Sequence, residues 1–202
     1  ENIRIIKDLS DVTQIHNINA IMLLVDFEKA FDSLDWNFLM YTLDSFGFGQ
    51  NFISLIKLMY TNIVSNVMNN GHMTKTIFLG RGIRQGCPAS AYFFILCAEL
   101  LANAIRNDSK IKGLNIGSYE YKILQFADDT VLFAQDVNDL KCMLKILTNF
   151  GVVSGLRINK EKSKMFELGN KRTCNKTIEG IHWCEGDFKY LGIWYSKNEK
   201  DM

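Results

Sequence analysis

The sequence predicts an α+β fold, with an antiparallel sheet that carries helices on one face. The first observation is the order of the elements, because short apolar segments typical of strands alternate with amphipathic helices and hairpins. The second is the lack of a linker, since the 202 residues contain one Pro, no low-complexity segment and no internal repeat. A hydrophobic content of 48% is enough for one substantial core. We therefore expect a single domain.

The N-terminal part of the chain begins with a strand that ends at a carboxylate. Residues 21–25 read IMLLV, the continuous apolar run that a strand buried on both faces shows, and the run stops at Asp26. A helix is predicted over residues 36–46, with Ser33 or Asp35 as its N-cap. A polar side chain at the end of a buried strand is a common place for chemistry.

The middle of the chain combines a second helix, a hairpin and a long helix. Residues 52–60 repeat the amphipathic spacing. Asn70-Gly71 is the strongest hairpin signal, because both residue types tolerate the positive φ of a tight turn. After the loop GRGIRQGCP, a helix over residues 90–106 is apolar nearly all round. We therefore expect it to be buried under the sheet.

The C-terminal part contains the least usual local pattern, QFADDTVLFA. Two adjacent carboxylates, Asp128 and Asp129, interrupt an apolar run at the tip of a predicted hairpin. A helix over residues 138–150 follows, with Asp136 near its N-cap. The remaining predicted strands are residues 156–158, 164–168 and 188–194. Adjacent like charges cost folding energy, so something is expected to compensate for Asp128 and Asp129.

Charge and composition narrow the class of protein. Residues 1–140 hold 11 Lys and Arg against 15 Asp and Glu, whereas residues 141–202 hold 12 against 7. This asymmetry suits an acidic metal site beside a surface that binds a polyanion. No apolar run approaches the roughly 18 residues of a membrane span, and the N-terminus is too charged for a signal peptide. We expect an intracellular protein of the nucleus or cytoplasm, without membrane contact.

The five cysteines show neither a disulfide framework nor CxxC spacing, so reduced thiols are expected. Cys174 and Cys184 could form a metal site with His182. We interpret them instead as unrelated strand and loop residues.

Three carboxylates provide the strongest chemical hypothesis. Asp26 would meet Asp128 and Asp129 if their strands are neighbours in one sheet. Such a group repels itself unless cations bind, and oxygen ligands favour Mg²⁺ or Mn²⁺ over zinc. Two such ions about 4 Å apart clamp the attacking and leaving oxygens of a nucleotidyl transfer.

Five segments surround these residues and extend the pattern. In chain order they are LLVDFEKAFDSLDW, GRGIRQGCPAS, FADD, SGLRINKEKSK and FKYLG. Together they resemble the palm of a reverse transcriptase, and their wording is most similar to the non-LTR (LINE-type) retrotransposon group. The resemblance runs over nearly the whole chain and implies a ferredoxin-like core and RNA-directed DNA polymerase activity.

The resemblance implies roles for the charged residues. Asp26 and Asp128 match the family's metal-binding aspartates, which hold two Mg²⁺ ions or, as a substitute, Mn²⁺. The main-chain carbonyl of Phe27 would be an additional ligand. Asp129 matches the third carboxylate, which supports the site more than it binds metal. Lys162 matches the lysine proposed to protonate the leaving pyrophosphate.

The resemblance also implies where the substrates bind. Phe31 matches the aromatic steric gate that clashes with a ribose 2′-OH, so deoxynucleotides would be preferred. Gln85 and Gly86 match the loop that lines the nucleotide and template, and Arg84 is a candidate for phosphate contact. The turn that grips the primer end is matched by Tyr190, Leu191 and Gly192. The implied partners are an RNA template, a DNA primer and deoxynucleoside triphosphates.

The whole chain is interpreted as one reverse transcriptase domain that is mostly palm. Residues 1–20 are expected to be a remnant of the fingers, and residues 21–194 hold the palm motifs. The thumb and most of the fingers are expected to be absent, so we expect a fragment. The chain departs from many family members at Ala91, where they have Pro, which leaves the start of the long helix less constrained.

Two other interpretations stay open. A nucleotidyl cyclase can also use two carboxylates on a comparable sheet, although the GIRQG loop and the FKYLG segment argue against it. A catalytically decayed or domesticated palm would bind RNA or a protein partner without polymerising. The intact Asp26, Asp128 and Asp129 favour catalysis. The oligomeric state is open.

Overall fold

Helices and strands alternate along the chain, and the computed structural model describes them over residues 2–170, 177–184 and 186–195. The helices in these ranges are α1 (Asn2–Ile15), α2 (Ala30–Ser33), α3 (Trp36–Ser45), α4 (Gln50–Met59), α5 (Pro88–Asn107) and α6 (Val137–Ser154). The strands in these ranges are β1 (Ala20–Val25), β2 (Val64–Ser65), β3 (Met68–Asn69), β4 (His72–Met73), β5 (Ile77–Phe78), β6 (Leu114–Ile116), β7 (Tyr119–Tyr121), β8 (Ile123–Phe126), β9 (Asp129–Ala134), β10 (Lys164–Leu168), β11 (Thr177–Ile178), β12 (Ile181–Trp183), β13 (Phe188–Tyr190) and β14 (Ile193–Tyr195). The α+β class is confirmed.

The central sheet has the strand order β11-β12-β10-β1-β9-β8 within the described ranges. Strand β1 pairs antiparallel with both β10 and β9, and β9 pairs antiparallel with β8. Strands β10 and β12 run parallel, so the expectation of a purely antiparallel sheet is wrong. The reason is β11, which comes before β12 in the chain and pairs antiparallel with it, so that β12 returns in the direction of β10.

Both faces of the sheet are covered by other parts of the chain. Successive residues of a strand point to opposite sides, so each strand contributes side chains to two separate cores. On one side the sheet residues in the core are Ile21, Leu23, Val25, Leu132, Ala134 and Met165. On the other side they are Ala20, Met22, Val131, Phe133, Phe166 and Leu168. Helices α3 to α6 pack on the first side, whereas α1 packs on the second through Ile6 and Leu9. The expectation of helices on one face is therefore wrong, because the chain before β1 folds back as α1 and buries Ile6 and Leu9 against the second face.

Helix α3 begins at its expected cap. One carboxylate oxygen of Asp35 accepts the amide N–H groups of Asn37 at 2.8 Å and Phe38 at 3.1 Å. The hydroxyl of Ser33 instead donates to the carbonyl of Glu28. Asp35 is therefore the N-cap, because it satisfies two donors that the first turn of a helix leaves free.

Replacing Asp35 by Ala is expected to lower the free energy of unfolding by about 1 kcal/mol, because both capping bonds are lost. Urea denaturation monitored by circular dichroism measures the change. Asp44→Ala on the exposed face of the same helix serves as the control, and its effect is expected to stay within about 0.5 kcal/mol. Equal losses for the two variants would contradict the capping role.

Helix α5 is longer than predicted, and only one of its faces is buried. Phe94 and Leu101 are fully buried in the first core, whereas the exposed fractions of Tyr92 and Ile95 are 70% and 52%. By length and composition alone the helix could cross a membrane, contrary to the expectation that no run is long enough. Its buried face shows the packing of a core helix in a folded domain.

The C-terminal strands differ from the prediction in detail. Residues 188–194 form not one strand but the antiparallel pair β13–β14. Leu191 and Gly192 make the turn between them, with φ values of 48° and 83°. Residues 156–158 contribute a single bridge, in which Ile158 pairs with Phe27.

The other expected elements are confirmed with small shifts. The Asn70-Gly71 turn joins β3 to β4. Helix α6 has Asp136 as its N-cap and continues to Ser154, where Gly155 ends it with a φ of 82°. A Cβ at Gly155 would lie 2.1 Å from the carbonyl oxygen of Ser33, so only glycine lets α6 end this close to α2. Cys174 lies outside the described residues.

Candidate active site

The end of β1 and the tip of the β8–β9 hairpin lie side by side. The last paired residues of β1 and β9 are Val25 and Thr130. The next residues outward on the two strands are Asp26 and Asp129. The strands that carry the predicted acidic residues are therefore neighbours, as the sequence hypothesis required.

The hairpin tip itself is a two-residue turn. Phe126 and Asp129 form the last pair of β8 and β9, which leaves Ala127 and Asp128 as the turn. Ala127 has a φ of 52°, the positive value that tight hairpin turns require. This geometry puts Asp128 at the extreme tip and Asp129 on the strand beside Asp26.

The three carboxylates interact electrostatically. Partial burial raises the pKa of the Asp129 carboxyl, and the negative charges of Asp128 and Asp26 raise it further. A cation beside these groups would offset this repulsion. Within the described ranges, however, no three His, Cys, Asp or Glu side chains are arranged to hold a metal ion by themselves.

A pocket of about 250 Å³ opens at this point. Four of its lining residues were predicted from the sequence: Asp26, Asp129, Lys162 and Tyr190. Six polar or aromatic lining residues were not: Thr130, Lys164, Asp187, Phe188, Lys189 and Trp194. The pocket therefore combines the carboxylates of Asp26, Asp129 and Asp187 with the lysines Lys162, Lys164 and Lys189.

Tyr190 lies at the buried side of this pocket, with 5% of its surface exposed. Burial raises the pKa of its phenol to about 12. Within the part of the chain that the structure describes, its hydroxyl has no hydrogen-bond partner, and the amide of Asn2 donates to the Gln125 carbonyl instead. The phenol of Tyr190 is therefore protonated at neutral pH.

A second group of predicted residues forms around Phe31. The ring of Phe31 stacks on buried Phe94, with centroids 4.9 Å apart and planes 8° from parallel. The carbonyl of Phe31 accepts the amide N–H of Ile83 at 2.7 Å. This bond ties the GRGIRQG loop to the proposed gate residue.

Two more bonds fix the same loop at Gly82. Its amide donates to the Leu34 carbonyl at 2.8 Å, and the indole N–H of Trp36 donates to its carbonyl at 2.7 Å. Gly82 has a φ of 91°, and an added Cβ would lie 2.8 Å from the Asp32 carbonyl oxygen. The Trp36 bond could not be predicted from the sequence, because a tryptophan near the start of a helix is typical of a core residue.

The remaining predicted residues stand outside the pocket lining. Arg84, Gln85 and Gly86 are exposed just beyond Ile83. Leu191 and Gly192 form the β13–β14 turn, and Asp128 occupies the hairpin tip. The structure thus assembles a carboxylate and lysine pocket, with a separate loop held against Phe31.

Asp26 is held by residues that sequence reasoning did not single out. Its amide N–H donates to the hydroxyl of Ser163 at 3.0 Å, and its carbonyl accepts the amide N–H of Asn159 at 2.7 Å. The signal for such a role was present in LRINKEKS, where Asn and Ser bracket a short polar turn. The carbonyl of Phe27 takes no part in the adjoining bridge, because the bonds there are made by its neighbours, Asp26 and Glu28.

Comparison with known proteins shows which sequences this chain is similar to. It is 30% identical to the "Transposon TX1 uncharacterized 149 kDa protein" of Xenopus laevis over 98% of this chain and 15% of that protein. It is 29% identical to the "Retrovirus-related Pol polyprotein from type-2 retrotransposable element R2DM" of Drosophila melanogaster over 73% of this chain and 13% of that protein. The chain therefore spans less than a sixth of the length of these two relatives.

A solved structure shares the fold. The telomerase from Candida albicans aligns with 96% of this chain and 32% of its own, with a TM-score of 0.63 and 15% identity. The family described as "Reverse transcriptase (RNA-dependent DNA polymerase)" matches residues 1–195. The resemblance seen in the five sequence segments is thereby confirmed, and this chain belongs to the reverse transcriptase family, with relatives among the non-LTR retrotransposon proteins.

Proposed function

We propose that this chain provides the catalytic palm of an RNA-directed DNA polymerase of a non-LTR retrotransposon. The observation that carries the proposal is the pairing of β1 with β9, which sets Asp26 beside the Asp128-Asp129 hairpin tip. A ferredoxin-like arrangement is part of the proposal for the palm core. The proposed partners are an RNA template, a DNA primer and deoxynucleoside triphosphates.

The acidic residues fit a pair of Mg²⁺ ions, for which Mn²⁺ can substitute. Asp26, Asp128 and the main-chain carbonyl of Phe27 are hard oxygen donors, and Asp129 adds negative charge. Mg²⁺ in nucleotide sites takes few protein ligands and completes its shell with water and substrate phosphates, so a full protein cage is not needed. Once bound, the ions would acidify the primer 3′-OH and stabilise the charge on the transferred phosphate.

The other residues would bind and orient the substrates. Lys162 would donate a proton to the departing pyrophosphate from its place in the pocket wall. Tyr190, Leu191 and Gly192 would hold the primer end, with the turn at Leu191 and Gly192 approaching the sugar-phosphate backbone. Gln85 and Gly86 would line the nucleotide and template, and Arg84 would contact phosphate.

Primer extension by the full-length polypeptide tests this proposal. The assay supplies an RNA template, an annealed DNA primer, Mg²⁺ and deoxynucleoside triphosphates, and it follows product length on a gel. Extension that follows the template sequence supports a polymerase. Turnover of a nucleoside triphosphate without template would instead indicate a nucleotidyl cyclase. RNA binding without any turnover would indicate a domesticated binding module.

Gly82→Ala is expected to raise the KM for deoxynucleoside triphosphates by about tenfold, because its Cβ would push the loop away from Asp32 and misplace Gln85. Steady-state single-nucleotide incorporation measures KM. Gly80→Ala is the matched control in the same loop, since a Cβ there meets nothing within 4 Å. The same KM for both variants would remove the loop from nucleotide binding.

A further inference from the structure

One short turn holds both polar main-chain groups of Asp26. The amide of Asp26 donates to the Ser163 hydroxyl at 3.0 Å, and its carbonyl accepts from the amide of Asn159 at 2.7 Å. The amide of Glu28 adds a third bond, to the carbonyl of Arg157 at 2.8 Å. The backbone around Asp26 is therefore fixed by residues 157–163 as well as by its own strand.

The same turn fixes the backbone of Lys162. The side-chain oxygen of Asn159 accepts the amide N–H groups of Glu161 and Lys162, both at 3.2 Å. The amide of Ser163 donates to the carbonyl of Asn159 at 2.9 Å, which closes the turn. This is an Asx-type turn, in which one side chain replaces the main-chain bonds of a longer loop. Lys162 is thus held between the two residues that hold Asp26.

The burial of Ser163 restricts what its hydroxyl can do. Its exposed fraction is 1%, so the oxygen reaches neither solvent nor substrate. The hydroxyl accepts the one buried N–H in front of it, and removing it would leave that donor unsatisfied. Asn159 is only partly buried, and its contribution lies in closing the turn.

We propose that Asn159 and Ser163 are positioning residues that tie the main chain of Lys162 to that of Asp26, so that the two segments that supply the lysine and the carboxylate of the pocket keep one fixed separation. The inference rests on the proposed polymerase function, in which the two groups act on opposite ends of the same transferred phosphate. Catalytic groups must be held close to their productive geometry, and a displacement of about 1 Å costs about 10²-fold in rate. A hydrogen-bonded link between the main chains of the two residues contributes to that requirement without touching the substrate.

Ser163→Ala in the full-length polypeptide tests the proposal. We expect kcat for single-nucleotide incorporation to fall about 10- to 100-fold, with the KM for the nucleotide unchanged within about twofold. Mn²⁺ binding, measured by electron paramagnetic resonance of the free ion, is expected to weaken about tenfold. Ser163→Thr keeps a hydroxyl and is expected to recover both quantities.

Ser154→Ala is a closely matched control. The exposed fraction of Ser154 is 0%, and its hydroxyl also accepts one main-chain N–H, that of Leu156 at 3.1 Å. It lies at the end of α6, outside the pocket lining. Both alanine variants are expected to lose stability, but only Ser163→Ala is expected to lose kcat and Mn²⁺ affinity. Equal kinetic losses would mean that Ser163 is merely structural and would overturn the proposal.

A double-mutant cycle separates positioning from general damage. If Ser163 links Lys162 to Asp26, adding Ser163→Ala to Lys162→Ala is expected to lower kcat by less than Ser163→Ala does alone, because only the contribution through Asp26 remains. Full additivity of the two losses would contradict the link.

If Ser163→Ala does not fold, Asn159→Ala gives a second test of the link, because Asn159 is partly exposed and its replacement is better tolerated. Asp26→Asn, assayed in parallel, distinguishes failure of this inference from failure of the proposed function. If Asp26→Asn also leaves primer extension intact, the proposed function is wrong. If only Ser163→Ala and Asn159→Ala leave extension unchanged, this inference alone is wrong.

Discussion

Asp128→Asn is expected to reduce template-directed primer extension by about 10³-fold or more, since the amide oxygen of Asn is uncharged and a weaker ligand for Mg²⁺ than a carboxylate. The substitution is isosteric and lies at an exposed hairpin tip, so the fold is expected to survive. Single-turnover incorporation by the full-length polypeptide measures the rate, and thermal denaturation checks the fold. An extension rate within about tenfold of the unsubstituted protein would show that Asp128 does not bind the metal.

Asp187→Asn provides the control for charge alone. Asp187 lines the same pocket as Asp26 but belongs to none of the five sequence segments. Removing one negative charge from the pocket wall is expected to change the rate by less than about tenfold. A loss as large as that of Asp128→Asn would mean that the net charge of the pocket matters more than any individual ligand.

Phe31→Val is expected to admit ribonucleotides, with the preference for the deoxy sugar falling by about 10²-fold. The physical reason is steric, because the ring of Phe31 is held flat against Phe94 and a smaller side chain would vacate the space that a 2′-OH needs. The measurement is the ratio of kcat/KM for a deoxynucleotide and its ribonucleotide. An unchanged ratio would remove Phe31 from the gate role.

Phe38→Val is the matched control for the loss of a core aromatic. Phe38 is partly buried in the same core and packs edge to face on Phe150, with centroids 5.3 Å apart. It lies on α3, further along the chain from Asp26. Both valine variants are expected to lose stability, whereas sugar discrimination is expected to change only for Phe31→Val.

The sequence predicted the core of the site because its signals are local. A continuous apolar run ending at Asp26 predicted β1, and the ADD tip between two apolar segments predicted the β8–β9 hairpin. Both patterns depend on residues within one element. The pairing of β1 with β9 was not predicted by either pattern; it was the condition on which the metal-site hypothesis depended, and the structure meets it.

The parts that the sequence did not predict depend on contacts between distant segments. The parallel pairing of β10 with β12 and the packing of α1 on the second face follow from chain crossings that no local pattern encodes. The bond from Asp26 to Ser163 joins residues 137 positions apart. Such bonds are visible only after the sheet has been assembled, so a serine in a polar turn reads as a surface residue.

The central position of β1 also determines which part of the backbone is most protected from hydrogen exchange. Strand β1 has a neighbour on each edge and a core on each face, so its amide protons are expected to exchange with deuterium only through global unfolding. Strands β2 to β5 are exposed along their length and are expected to exchange far sooner. Asp26 is therefore expected to lie at the end of a slowly exchanging segment, where the protected backbone of β1 holds the carboxylate in one position.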